Sequence, residues 1–388
     1  MILTDPIAIL AAGRLPQGRY QGALAGLGAV ALGSAAVTAL LADPALPRPG
    51  RLIWGMARSH SQGMNPARTI ALGAGLAAET YALTVNMACG SGLGAVIQAA
   101  QGLALGGPGA VLAGGSEAMS DTPHLLPGLR LGFGLGHASA PDVMHQDGLL
   151  CPVTGLLMAE TVEQLVRAHG ITRAEADSYA LESHRRARAA DFSGERLAHP
   201  ALDRDECIRA WTRLDDLAAL PALFPPAGRI TAGNASALAD GAAAVLLARN
   251  GADRAGSGPA LARILAWTEV AVAPLAMGWA PVPAVRALLA EAGLAVADVA
   301  LWELNEAFAG QVLCCARDLG LPLERLNVAG GGISLGHPIA ASGARILVTL
   351  VHQLRARGGG LGVATLGIGG GLGQAVLIEV ETGGSSRI

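Results

Sequence analysis

With 388 residues, 52% of them hydrophobic and only 15% charged, the chain can bury a large core and is not a disordered polymer. A formal net charge of −3 gives no basic field for nucleic acid, and the 54 glycines are scattered without the three-residue period of a collagen. All 27 basic residues are arginine. That excludes lysine Schiff-base chemistry and leaves arginines, backbone N–H groups and helix N-termini to meet any phosphate.

Taken in chain order, Met1–Pro6 lacks a basic n-region, so no signal peptide is expected. Ile7–Ala11 reads as a short buried strand. Gly22–Ala42 carries no charge and is long enough to span a bilayer, but its Ala and Gly make it weakly hydrophobic, which favours a close-packed buried helix over Leu27–Leu41. Arg51–Met56, Val111–Ala113 and Val363–Leu366 read as further strands, the last two ending in glycines as buried parallel strands do. Strand and helix signals alternate, which predicts a layered α/β fold.

The chain also resembles itself. Ser91-Gly92, a helix to Leu103 and Gly107 align without gaps with Ser342-Gly343, a helix to Leu354 and Gly358, and each leads into an apolar strand. Upstream, Val37–Leu41 before Arg51–Met56 is echoed by Val285–Ala290 before Ala300–Leu304. Between the halves, roughly Met119 to Ile230, charges, prolines and histidines gather. Ile171–Ala190 there reads as a polar helix opening with a Thr172–Glu175 capping box. This insertion is expected to cover the core at a substrate site.

Four segments carry candidate chemistry. Asn86 to Gly92 places Cys89 just before a helix N-terminus, where free N–H groups and the macrodipole favour a thiolate; a buried, inert cysteine is the competing reading. Trp302 to Ala309 puts Asn305 at a strand end, able to hold a water or a carbonyl, or simply to cap a helix. Gly330 to Pro338 sets His337 in a glycine turn, suited to an acyl oxygen or a thiol proton. Thr365 to Gly371 runs from a strand into a glycine turn, which can form an oxyanion hole, bind phosphate or merely reverse the chain. The other cysteines, Cys151, Cys207, Cys314 and Cys315, have no metal-ligand spacing, and an odd total argues for a reducing, cytoplasmic setting without disulfides.

These segments, together with Asn65 to Arg68, Thr231 to Ser236, Asp240 to Ala242, and Met277-Gly278 followed by Pro281 to Pro283, resemble thiolases in order and spacing over nearly the whole chain. The resemblance implies duplicated βαβαβαβαββ halves forming a five-layered αβαβα sandwich, with residues 1–118 and 231–262 as one half, 263–388 as the other and 119–230 as a loop domain. It implies a homodimer or homotetramer acting on acyl-CoA, with coenzyme A as substrate or product and no metal or other cofactor. Cys89 would carry the acyl group and His337 would take its proton. Asn305 would hold a water, and the N–H groups of Cys89 and Gly369 would form an oxyanion hole. Arg209, Ser236, Ala232, Leu149, Met158, Met277 and Phe308 match substrate-binding positions.

Departures from the family pattern matter as much. Gly367 stands where thiolases carry a second, acid/base cysteine; Leu157 replaces a histidine and Ala340 a glycine. Three readings follow. The first is a C-acyltransferase in which another group, Cys151 being the spare cysteine, replaces the base. The second is altered chemistry on the same acyl-enzyme: decarboxylative condensation, transfer to another nucleophile, or thioester hydrolysis. The third is a degenerate binding subunit, against which the retained acyl-enzyme residues argue.

Overall fold

A computed structural model describes residues 1–107, 109–209, 212–249 and 259–381. The strands are β1 (Ile2–Arg14), β2 (Gly18–Arg19), β3 (Arg51–Gly55), β4 (Tyr81–Val85), β5 (Ala110–Ala118), β6 (Ala239–Arg249), β7 (Ala262–Ala271), β8 (Leu301–Leu304), β9 (Gly360–Ile368) and β10 (Leu372–Val380). The helices are α1 (Ala29–Leu40), α2 (Pro66–Gly73), α3 (Ser91–Ala104), α4 (Met158–Ala168), α5 (Arg173–Ala189), α6 (Leu214–Ala218), α7 (Pro281–Ala292), α8 (Ala309–Leu319), α9 (Gly332–Leu335) and α10 (Ile339–Ala356). The main strand path runs β4-β3-β5-β6-β1-β7-β10-β9-β8, with β2 on β6.

That order is a pseudo-twofold. β1 and β7 pair antiparallel at its centre, and on either side an antiparallel neighbour (β6 or β10) leads to a parallel pair, β5–β3 or β9–β8. β4 extends only the first side, parallel to β3. The β1 strand is longer than the expected Ile7–Ala11 because partners on both sides draw its ends into register, from Ile2 on Ala266 to Arg14 on Ala243.

Three cores separate five layers. One packs α1 and α2 on the first half-sheet, another packs α7 and α8 on the second, and the central one holds α3 and α10 between the two. Fifteen of the eighteen α10 residues are buried, as a helix covered on all sides requires. The helices approach through Gly92 and Gly343, the pair matched by the internal repeat. A Cβ on Gly92 would lie 2.6 Å from the Ala340 carbonyl oxygen, and one on Gly343 would lie 2.6 Å from the Leu93 nitrogen. Only glycine permits that contact.

The uncharged stretch at residues 22–42 contributes only the twelve-residue α1. Among the described residues no helix is long and apolar enough to cross a membrane. In the segment between β5 and β6, α5 opens as expected: Glu175 N–H donates to the Thr172 hydroxyl at 3.2 Å and Thr172 N–H donates to the Glu175 carboxylate at 2.7 Å. This segment is pinned to β1 by a buried ion triad. Arg14 donates to Glu195 at 2.6 Å and to both oxygens of Asp205 at 2.6 and 3.0 Å.

Candidate active site

Cys89 lies in a single turn of 3-10 helix, Ala88–Gly90, that joins β4 to α3. Ala88 is held at φ +46°, an uncommon conformation for a non-glycine residue. Its neighbour Gly90 packs so closely on the end of β9 that a Cβ would stand 2.3 Å from Ile368 Cδ1. The turn after β9 is therefore laid against Cys89, and the N–H groups of Cys89 itself and of Gly369 reach the sulfur. Burial nevertheless pushes the thiol up to about 11, opposed by Arg58 and those two N–H groups. The helix terminus alone was expected to favour a thiolate; desolvation outweighs it here.

His337 is buried at the entrance to α10. Its N–H donates to the Ala237 carbonyl at 2.8 Å, and Ala237 N–H donates to Gly332 at 3.3 Å, so residues 231–238 hold the glycine turn in place. Burial, with the charges of Arg345 and Arg58, drives the imidazole down to about 3, so it is neutral at physiological pH. Its tautomer follows from its partner. Ser342 has one hydroxyl proton and donates it to the Pro338 carbonyl at 2.9 Å, so the 2.5 Å contact to His337 Nδ1 is made by an Nδ1–H donor. Nε2 is left with its lone pair.

Asn305 follows β8, and its N–H donates to the Thr365 carbonyl of β9 at 3.0 Å. The cap reading does not hold, because α8 begins after Phe308. The Asn305 side chain is buried, and its Oδ1 has no partner among the described residues. An unpaired buried amide oxygen is unfavourable, and a bound water or a ligand donor would satisfy it.

Met158 flanks Gly369, its methyl 2.9 Å from where a Cβ would be, and Met277 flanks Gly367 through its carbonyl. Phe308 bridges Ala235, and Ser236 N–H donates to Ala307 at 2.9 Å. Leu149 and Cys89 pack on one small cluster with Met119, Met144 and Ile339. Ala232 is exposed on the same 231–238 segment. Arg209 is exposed on a strand-free stretch whose Cys207 Sγ lies 3.1 Å from a Cβ placed on Gly336.

Cys314 and Cys315 are buried in α8, as expected of core residues, and burial raises both thiols. Cys151 differs. Burial raises its thiol, but the Thr154 hydroxyl and the N–H groups of Thr154, Val153 and Gly370 outweigh that and lower it below the ordinary value. Consecutive N–H groups of one glycine turn thus serve two sulfurs, Gly369 for Cys89 and Gly370 for Cys151.

Four residues that sequence reasoning did not single out complete the site. Ser342 lies one helical turn beyond His337, a spacing that was legible. Glu306 accepts from Tyr179 at 2.9 Å, Ser183 at 2.7 Å, Asn327 at 3.1 Å and Ile333 N–H at 3.2 Å, and so ties the Asn305 loop to α5 and the glycine turn. Glu117 was legible as the one charge in an otherwise apolar strand; burial lifts it to about 7. Arg58 is 4% exposed beside it and gave no sequence signal.

A half-buried cysteine faced by N–H donors, and a buried neutral histidine, on a duplicated α/β frame have the chemistry that acyl transfer needs. Residues 7–251 match the family model for the thiolase N-terminal domain and residues 258–380 that for the thiolase C-terminal domain. The chain belongs to the thiolase family. It is 43% identical over 389 residues to an acetyl-CoA acetyltransferase of Chromobacterium violaceum, covering 96% of this chain and 99% of that protein. A Pseudomonas aeruginosa acetyl-CoA acetyltransferase is 42% identical over 96% of this chain and 98% of its own length. Human mitochondrial 3-ketoacyl-CoA thiolase, solved in complex with CoA, superposes with a TM-score of 0.95 at 38% identity, covering 98% of this chain and all of that one.

Proposed function

We propose that this thiolase-type acyltransferase carries its acyl group on Cys89. The observations that carry the reading are a protonated Cys89 thiol faced by the Gly369 N–H, and a buried, neutral His337 whose Nδ1–H is held by Ser342. His337 Nε2 takes the thiol proton as the sulfur attacks the thioester carbonyl. The oxyanion accepts hydrogen bonds from the N–H groups of Cys89 and Gly369. As the tetrahedral adduct collapses, CoA leaves with the proton from His337, and the acyl group remains on sulfur. Asn305, whose Oδ1 has no partner among the described residues, would hold a water for the second half-reaction. Arg209, Ser236 and Ala232 would meet coenzyme A, and Leu149, Met158, Met277 and Phe308 would bound the acyl group.

Several coarser features belong to the same reading. Residues 1–118 with 231–262 and 263–388 act as the two halves, with 119–230 covering the site. A homodimer or homotetramer is supported by edge strand β4, which leaves Tyr81 and Leu83 exposed; such an edge needs cover. A cytoplasmic setting fits the five free thiols.

Thiolysis tests the reading: acetoacetyl-CoA and free CoA with the purified protein, and Cys89→Ala as the blank. Turnover above the blank, with an acetyl mass on Cys89, supports it. An unmodified Cys89 sinks it. Gly367 favours a second outcome, since it offers no acid/base group for the substrate α-carbon. If Cys89 is acylated without thiolysis, CO₂ release from malonyl-CoA during primer extension would establish decarboxylative condensation. If thiolysis proceeds, Cys151 is the candidate replacement base, and Cys151→Ala should slow the carbon–carbon step but leave acylation of Cys89 intact.

A further inference from the structure

The described chain leaves one cation without hydrogen bonds beside the nucleophile. Arg58 follows β3 and is 4% exposed, and its Nε and both terminal nitrogens are buried with no hydrogen-bond partner among the described residues. Its nearest carboxylate, Glu117, stands 4.0 Å from one terminal nitrogen, beyond hydrogen-bond range, and is already engaged by the Ala340 N–H at 3.3 Å. Burial also lifts Glu117 to about 7, so that carboxylate only partly offsets the guanidinium at neutral pH.

Arg58 is enclosed by the same elements that enclose Cys89. Ala57 beside it and Leu149 both pack on the Met119, Met144 and Ile339 cluster that holds Cys89. Gly148 lies so close over the guanidinium that a Cβ there would stand 1.7 Å from its nitrogen. A side chain at that point of the covering segment would displace the guanidinium. The charge is felt across the site, holding both the Cys89 thiol and the His337 imidazole lower than burial and their other neighbours alone would set them.

A guanidinium out of water with all its donors idle is strongly unfavourable unless a ligand completes it. The group that matches it in charge and geometry is a carboxylate, which accepts two parallel N–H bonds. We propose that Arg58 is a specificity-determining residue of the acyl site and that the preferred acyl group ends in a carboxylate: the substrates are CoA thioesters of dicarboxylic acids or their 3-keto derivatives. This rests on the acyl-CoA reading above and adds the class of acyl group. A neutral straight-chain acyl group would leave the donors unpaired, and sites built for a polar partner discriminate strongly against analogues that lack it.

Binding to Cys89→Ala protein tests the proposal without depending on turnover. Calorimetry would compare CoA thioesters of dicarboxylic acids with those of monocarboxylic acids of equal chain length, from four to six carbons. The expected result is tighter binding of at least one dicarboxylic thioester, on the order of 10²-fold. Adding Arg58→Leu should erase the preference, and adding Arg58→Lys should keep part of it. Equal binding of the two series, or a preference that survives Arg58→Leu, overturns the proposal. Thermal melts of each variant identify loss of folding, and Arg58→Lys retains the charge if Arg58→Leu does not fold. A carboxylate preference in a protein whose Cys89 is never acylated would sink the catalytic reading and leave this one standing. Acetoacetyl-CoA thiolysis without the preference would do the reverse.

Discussion

The carbonyl oxygen of Met277 stands 2.6 Å from where a Cβ on Gly367 would be, with Pro281 Cδ at 3.3 Å. The space beside Gly367 is closed by backbone, and a side chain fits there only if the 274–279 turn withdraws.

Gly367→Cys should therefore destabilise the protein, by about 1–3 kcal/mol as overpacking typically does. Urea unfolding of the variant beside the parent measures it. An unchanged midpoint, together with a gain in thiolysis, would show that the turn yields easily and that the glycine alone removes the base.

Cys89 is a thiol at neutral pH, with its ionisation pushed to about 11 from an ordinary value of 9.0. Its alkylation by iodoacetamide, followed on the Cys89 peptide by mass spectrometry, should rise steadily from pH 7 to pH 10. His337 is neutral above about pH 3 and does not stabilise a thiolate by charge at rest. A plateau already reached at pH 6–7 would reveal a preformed thiolate–imidazolium pair, with the proton transferred before the thioester arrives rather than during its attack.

Ser342→Ala removes the acceptor that fixes the His337 tautomer. A positioned base contributes roughly 10²–10⁴-fold, and loss of its orientation alone should lower kcat/KM by roughly 10–10²-fold. Stability should change little more than for any single buried hydrogen bond, about 1 kcal/mol. Rates of Cys89 acylation by acetyl-CoA equal to the parent's would show that the contact does not orient the base.

Asp205→Ala would leave buried Arg14 with Glu195 as its one paired carboxylate among the described residues. Breaking such a buried ionic group costs about 3–5 kcal/mol. Because Asp205 lies four residues before Arg209, the variant should also raise KM for CoA more than it lowers kcat. Equilibrium unfolding and CoA titration of the rate read the two effects separately, and a kcat loss with unchanged KM would place the triad in the chemistry instead.

Much of this protein was written locally. The Thr172–Glu175 box starts α5, the glycines around Cys89 and His337 make their turns, and the alternation of apolar runs set the order of strands and helices. Ser91-Gly92 and Ser342-Gly343 even marked where α3 and α10 touch, because close helix approach demands small residues at fixed places and so leaves a pattern. Three properties of the site were left to the tertiary structure. The Cys89 thiol is raised although its place before a helix suggests the opposite; Arg58, one arginine among others in the sequence, becomes a buried cation whose side chain has no hydrogen bond among the described residues; and Gly367 faces the Met277 carbonyl. Each is a sum over groups distant in the chain. Desolvation depends on everything packed around an atom, and the space at Gly367 depends on a turn from a remote part of the sequence, so neither leaves a local signature.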